Sequence, residues 1–270
     1  MNRLEQIQSL NRFLLDEMPD YRPRAACFPQ EKTAQRRLLR SLMNVRPPMP
    51  LSGEFLAAQD ALLQAEREEK DVVDGDALPA VAAHPKIALW QGDITRLRAD
   101  AIVNAANPAL LGCFCPCHGC IDNAIHSAAG LQLREACNAL MTAQGRPEPN
   151  GKAKLTPGYN LPARYVLHTV GPIIYGRVSQ RDRAELASCY RSCLELAAEQ
   201  GLESVAFCCV STGEFHFPNQ DAAEIAVETV AEFLRQSTSV QRVIFNVFKD
   251  MDAEIYRTLL GPDQAAEAGA

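Results

Sequence analysis

Three things are scarce in this chain. The first is basic charge. Lys and Arg total 27 against 33 Asp and Glu, a net charge of −6. Dividing the chain at His84 leaves 11 basic and 13 acidic residues before it, and 16 and 20 from there on. Neither portion is the kind of basic platform that neutralises phosphates, so a nucleic-acid-binding surface is not expected. The second is long apolar runs. No window approaches the roughly twenty apolar residues of a membrane span. The opening, "MNRLEQIQSLNRFLLDEMPDYRP", also lacks the apolar core and small-residue cleavage site of a signal peptide, and reads as an amphipathic helix. The third is repetition, since no internal repeat or low-complexity tract is found.

Cysteine, in contrast, is plentiful: there are 10. A disulfide framework suits short secreted chains, so the expectation here is reduced thiols in a cytoplasmic protein. Cys137, Cys189, Cys193, Cys208 and Cys209 fall in apolar patterns, where a thiol behaves as a small buried hydrophobe. The others are concentrated. In "GCFCPCHGCIDNAIHSAAG" four cysteines and a histidine fall between Cys113 and Cys120, just before a helical pattern. That density of soft ligands points to a metal, with a reactive or redox-active thiol cluster as the competing reading.

Residues 1 to about 80 read as helices with Pro-rich joints. Leu4, Ile7, Leu10, Phe13 and Leu14 form one stripe. "EKTAQRRLLRSLMNV" and "SGEFLAAQDALLQAEREEKD" are further helices, the latter with Ser52 as N-cap. "DVVDGDALPAVAAHP" reads as a linker. From about Lys86 the pattern changes. "KIALWQ", "DAIVNAA", "RYVLHTV", "SVAFCCVS" and "RVIFNVF" are nearly continuous apolar strands, as expected where helices cover both faces of a sheet. "DNAIHSAAGLQLREACNALMTA", "DRAELASCYRSCLELAAEQ" and "DAAEIAVETVAEFLRQS" are helices opening with Asp. The alternation predicts an α/β sandwich with a mostly parallel sheet, whose ligands bind beyond the carboxyl ends of the strands.

The segments that follow the strands carry the chemistry. "GDIT", "AIVNAAN", "IDNAIHSAAG", "GKAKLTPGYNLPARYVLHTVGP" and "STGEFHFP" resemble the macrodomain family in residue type, order and spacing, over roughly Lys86 to Leu260. The resemblance implies a three-layer α/β/α macrodomain with a mixed, mostly parallel central sheet that binds ADP-ribose. Its expected organisation is a helical N-terminal extension and linker over 1–84, the macrodomain over 85–262, and a C-terminal tail over 263–270. Where hydrolytic macrodomains usually carry a glycine run, this chain has "CFCPCHGC". That departure resembles the zinc-containing subgroup of ADP-ribosylhydrolases, which also carry a helical extension.

In that subgroup the ligands follow Cys-x4-His-x-Cys, a pattern occupied here by Cys113, His118 and Cys120. The resemblance thus implies one Zn²⁺ with an open fourth position, the arrangement of catalytic zinc. Cys115 and Cys117 either close that position or point away. The resemblance further implies that Asp93 accepts from the adenine amino group, with Ile94 beside it. Asn107 and Asp122 are expected at the distal ribose as catalytic residues. Ser211, Thr212, Gly213, Glu214 and Phe215 would wrap the pyrophosphate, with Phe215 or Phe217 over the distal ribose, and Asn246 and Phe248 would flank the adenine. Asn104 is expected to satisfy buried backbone, and His126 and His168 to pack in the core. The implied activity is zinc-dependent hydrolysis at C1 of the distal ribose, releasing ADP-ribose from a mono-ADP-ribosylated protein, in a monomer that needs neither nucleic acid nor membrane. A non-catalytic ADP-ribose-binding module and a hydrolase of O-acetyl-ADP-ribose are the competing readings.

Overall fold

The computed structural model describes residues 2–236 and 238–262; the expected tail 263–270 lies outside them. The extension folds as four helices: α1 (Arg3–Glu17), the short α2 (Arg22–Ala25), α3 (Lys32–Val45) and α4 (Gly53–Glu69). Asn2 and Glu5 form a capping box at the start of α1, and Ser52 accepts from the Phe55 N–H to cap α4. The segment expected as a linker holds two short strands, β1 (Val73–Asp74) and β2 (Ala80–Val81).

The remaining elements are β3 (His84–Gln91), β4 (Leu97–Arg98), β5 (Ala101–Ala105), α5 (Ile121–Ala129), α6 (Leu131–Gln144), β6 (Ala153–Pro157), β7 (Tyr165–Thr169), α7 (Gln180–Glu199), β8 (Ser204–Phe207), α8 (Asn219–Leu234), β9 (Arg242–Val247) and α9 (Asp250–Leu260). Seven strands form the main sheet in the order β2-β3-β9-β8-β5-β7-β6. The five inner strands are parallel, and the two edge strands run antiparallel to their neighbours. β1 and β4 make a separate parallel pair. β8 is buried at every residue, as a strand covered on both faces must be. The fold is therefore the expected α/β macrodomain fold, with α7, α8 and α9 packed in a row and α5 packed on α6.

One expected helix is two. The pattern from Asp122 to Ala143 is interrupted at Gly130, whose φ of +99° ends α5 and starts α6. A residue with a Cβ strongly disfavours that region, and glycine does not. The Asp residues that open the helical patterns sit in the first turns, Asp122 in α5, Asp182 in α7 and Asp221 in α8, while Ser179 caps α7 and Cys120 caps α5, its Sγ accepting from the Asn123 N–H at 3.4 Å. Two apolar cores result. The larger fills both sides of the sheet. The smaller joins α1, α3 and α4 and includes Leu131 of α6, so the extension is packed onto the sheet-bearing unit.

Candidate active site

The loops that follow β3, β5, β8 and β9 all leave the carboxyl ends of parallel strands, so they gather on one rim of the sheet. The loop from 106 to 120 is the most unusual. The ligand atoms of Cys113, His118 and Cys120 lie within 4.8 Å of one another. His118 Nδ1 is buried and has no hydrogen-bond partner among the described residues, while Nε2 sits 3.7 Å from Glu214 Oε1. Burial pushes the Cys120 thiol up to about 12, and the neighbouring Cys113 adds to the rise. The Cys120 thiol therefore resists ionisation until a cation offsets its charge. An imidazole with an unpartnered nitrogen and two thiols, their ligand atoms gathered this closely, are the donor set of a zinc site, so these residues fit the ion.

The other two loop cysteines are not part of this cluster. Cys115 is exposed. Cys117 faces the extension, its Sγ 3.2 Å from Ser41 Oγ of α3 and 3.5 Å from the Arg37 carbonyl. Beside the cluster, Phe114 is 41% exposed and lies over the Arg134 guanidinium, with Cζ 4.4 Å from the ring centre.

Beneath the loop lies a buried polar network. Asn104 on β5 donates to Asp122 Oδ1 at 2.8 Å and stands 3.2 Å from His168 Nδ1. Its side chain thus serves a carboxylate and an imidazole, and not the backbone that sequence reading expected. Asn107 donates to the Gly112 carbonyl at 3.1 Å and to Asp122 Oδ2 at 3.4 Å. Burial raises the Asp122 carboxyl to about 6, although the Asn104 hydrogen bond and the Arg134 charge oppose the rise. His168 is held in the core by Asn104 and by Thr156 Oγ1 at 2.9 Å from Nε2, and burial lowers it to about 3. His126 is buried 3.5 Å from Asp122 Oδ1 with neither ring nitrogen hydrogen-bonded among the described residues. Desolvation drives its pKa well down, so this contact is with a neutral imidazole and is not an ion pair.

The loop after β8 is the second unusual one. Ser211 and His216 both have positive φ, 67° and 57°. The N–H groups of Gly213, Glu214 and Phe215 donate no hydrogen bond among the described residues. A run of unpaired amides in a tight turn is an anion cradle. Thr212 is turned inward, its hydroxyl donating to the Cys209 carbonyl at 3.0 Å. Ser211 Oγ is buried and unpartnered. Phe215 is partly buried against the core, and Phe217 is 1% exposed within it, so Phe217 is a core residue and not a ribose cover.

The third group surrounds the turn after β3. Asp93 Oδ1 accepts from the Thr95 N–H at 3.0 Å and from its hydroxyl at 2.7 Å, capping a short 3-10 turn. Ile94 is buried in the core and presents no apolar surface to a ligand. Asn246 is buried too. Its amide donates to the carbonyl of Gly92 at 3.0 Å, so it fixes the turn and does not face the cleft. Phe248 stands 75% exposed at the end of β9. A cavity of about 130 Å³ opens between α3, α4 and α5, lined by Arg40, Arg67, Asp93 and Ser127.

Sequence reading missed the residues that join these parts over long separations. Arg134 is buried, yet its guanidinium donates to the Leu111 carbonyl at 2.6 Å and to the Met43 carbonyl at 2.8 Å, and also to that of Arg46. Burial lowers it to about 10. Arg40 and Asn44 of α3 bond to the cysteine loop. Nothing local in the sequence marks these three.

Comparison with known proteins agrees with the geometry. Residues 103–226 match the Macro domain family. A protein-ADP-ribose hydrolase of Treponema medium is 48% identical over 262 residues, 96% of this chain and all of that protein. One from Staphylococcus aureus strain MRSA252 is 50% identical over 227 residues, covering 84% of this chain and 85% of its own. Among solved structures, the Trypanosoma brucei macrodomain in complex with ADP-ribose is 33% identical with a TM-score of 0.65, covering 82% of this chain and 95% of its own. Likeness at this level over nearly the whole length of the chain leaves one conclusion: this chain belongs to the macrodomain family.

Proposed function

We propose that this chain is a zinc-dependent hydrolase that removes ADP-ribose from mono-ADP-ribosylated protein side chains. The observation that carries the reading is the meeting, at the end of β5, of the Cys113–His118–Cys120 cluster with the Asn104–Asp122–Asn107 network. Relatives that share about half the sequence are named protein-ADP-ribose hydrolases, which supports the same activity here.

Cys113, His118 and Cys120 would hold the ion, which supplies Lewis acidity and positive charge at the ribose end when bound. The chain's own residues do the rest. The free amides of Gly213, Glu214 and Phe215 grip the pyrophosphate, and Asp93 and Phe248 hold the adenine end. Binding energy gained there aligns the distant ribose. Asn107, fixed by Gly112 and Asp122, orients the ribose hydroxyls. Asp122, with one oxygen pinned by Asn104, is poised near neutrality to accept the proton of the attacking water. The bond from C1 to the side-chain atom breaks through a transition state with oxocarbenium character.

The test incubates the full chain with a protein ADP-ribosylated on acidic side chains and measures free ADP-ribose. Chelation should abolish release and added Zn²⁺ should restore it. His118→Ala and Cys120→Ala should lose both metal and release. Asp122→Asn should keep ADP-ribose affinity within a few-fold, while turnover falls by about 100-fold or more. Undiminished release after verified metal removal would sink the zinc role, and tight ADP-ribose binding with no release would make the chain a binding module.

A further inference from the structure

The loop that carries the three metal-site residues does little to hold itself. Between residues 113 and 120 its one internal backbone hydrogen bond is from the His118 N–H to the Cys115 carbonyl, at 3.3 Å. Cys117 within it has φ of +53°, the left-handed region that a residue with a Cβ seldom adopts. Something outside the loop must over-determine this shape.

The outside element is α3. Arg37, Arg40, Ser41 and Asn44 follow helical spacing, so they share one face. Asn44 Oδ1 accepts from the Cys117 N–H at 2.9 Å, and its Nδ2 donates to Ser127 Oγ on α5 at 3.0 Å. Arg40 donates to the His118 carbonyl at 3.2 Å and to Asn123 Oδ1 at 2.7 Å. Asn123, fully buried, passes the hold on by donating to the Cys115 carbonyl at 3.0 Å. The backbone at 115, 117 and 118 is thus clamped from the extension, directly or through one residue. Asn44 is 2% exposed, so its bonds are shielded from water.

We infer that Asn44 and Arg40 are positioning residues for the Cys113–His118–Cys120 cluster, which makes the helical extension a working part of the site and not an appended module. The inference rests on the cluster being a metal site, as proposed above, but part of its test does not. Arg40 and Asn44 are not members of the cluster itself, although Arg40 also lines the cavity beside Asp93. They act on the carbonyl of His118 and the amide of Cys117, and so set where the imidazole and the two flanking thiols converge. Residues that hold metal ligands in place typically govern about 10–100-fold of metal affinity.

Two measurements on the full chain decide it. The first is amide hydrogen exchange on metal-free protein. Asn44→Ala should speed exchange across residues 113–120, the Cys117 amide most of all, while the strands stay protected. The second is Zn²⁺ affinity by competition with a chromogenic chelator, read beside the visible spectrum of the Co²⁺ form. Asn44→Ala and Arg40→Ala should weaken Zn²⁺ by about 10–100-fold and alter the cobalt bands. Asn44→Asp, which keeps the acceptor for Cys117, should recover most of the loss. Leu62→Val, a truncation in the extension's core on α4 that leaves the Arg40 and Asn44 hydrogen bonds in place, should lower the melting temperature and leave Zn²⁺ affinity within two- to three-fold. Unchanged loop exchange in Asn44→Ala, or equal loss of Zn²⁺ in Leu62→Val, would overturn the inference. A wild-type protein that binds no Zn²⁺ would instead fail the metal reading, and the exchange data would still decide whether α3 holds the loop.

Discussion

At the scale of single residues, the site works by burying polar groups that must then be answered. His168 is the clearest case. Its imidazole is enclosed between Asn104 and Thr156 and held neutral, with its pKa lowered to about 3 from the ordinary 6.5. In the unfolded chain it would take up a proton below about pH 6.5. Its contribution is therefore neutral above that value and destabilising below it. Stability is lost at about 1.4 kcal/mol per pH unit as pH falls through the window between the two values. His126, also driven down by burial, acts in the same direction. Asp122 acts oppositely: its raised value means that stability falls as pH rises from about 4 towards about 6. Comparing the wild type with His168→Asn isolates the histidine. Denaturant unfolding at pH 7 and pH 5 should show the wild type losing about 2 kcal/mol more than the variant over that interval. Parallel curves would contradict the assignment.

At the scale of elements, Gly130 decides the boundary between α5 and α6. Its φ is +99°, and an added Cβ would lie 2.6 Å from Gln132 Oε1 and 2.7 Å from Gln59 Nε2. Those atoms are ends of side chains and can move; the backbone angle cannot. Gly130→Ala should thus destabilise by about 1–2 kcal/mol, seen as a lower urea midpoint with unchanged slope. This glycine also shows why sequence reading joined the two helices. Apolar residues run on through it at helical spacing, and one glycine inside such a pattern does not reveal its φ. The parallel strands were legible because burial on both faces leaves unbroken apolar runs. The antiparallel edge strand Ala153–Pro157 is only partly buried and lacks such a run, and α9 follows β9 without a clear signal. The crowding of soft ligands between Cys113 and Cys120 was legible in the sequence, whereas the choice of Cys113, His118 and Cys120 among them came from the family resemblance. Arg40, Asn44 and Arg134 were not legible, because the bonds that tie the extension to the loop and to α6 span some 73 to 91 residues of chain.

At the scale of the whole molecule, the extension and the sheet-bearing unit share structure. Leu131 packs in the extension's core, and its N–H donates to Gln59 of α4 at 3.0 Å. Asp60 of α4 accepts from Asn160 at 2.6 Å. Two bodies joined through a common core and buried polar bonds should unfold as one. Trp90, the single tryptophan, lies on β3, whereas much of the far-ultraviolet helix signal comes from the extension. Melting followed by tryptophan fluorescence and by circular dichroism should give one coincident midpoint, and two separated transitions would refute this. Arg134 carries a consequence beyond one molecule. Its planar fork meets a carbonyl from the cysteine loop and two from the end of α3, which a lysine, with a single ammonium, could not reproduce. A macrodomain built without the four helices would lack two of the three carbonyls that answer this buried cation. Arginine there should accordingly be inherited together with the helices and vanish from lineages that have lost them, a signature to be sought by aligning relatives of both kinds.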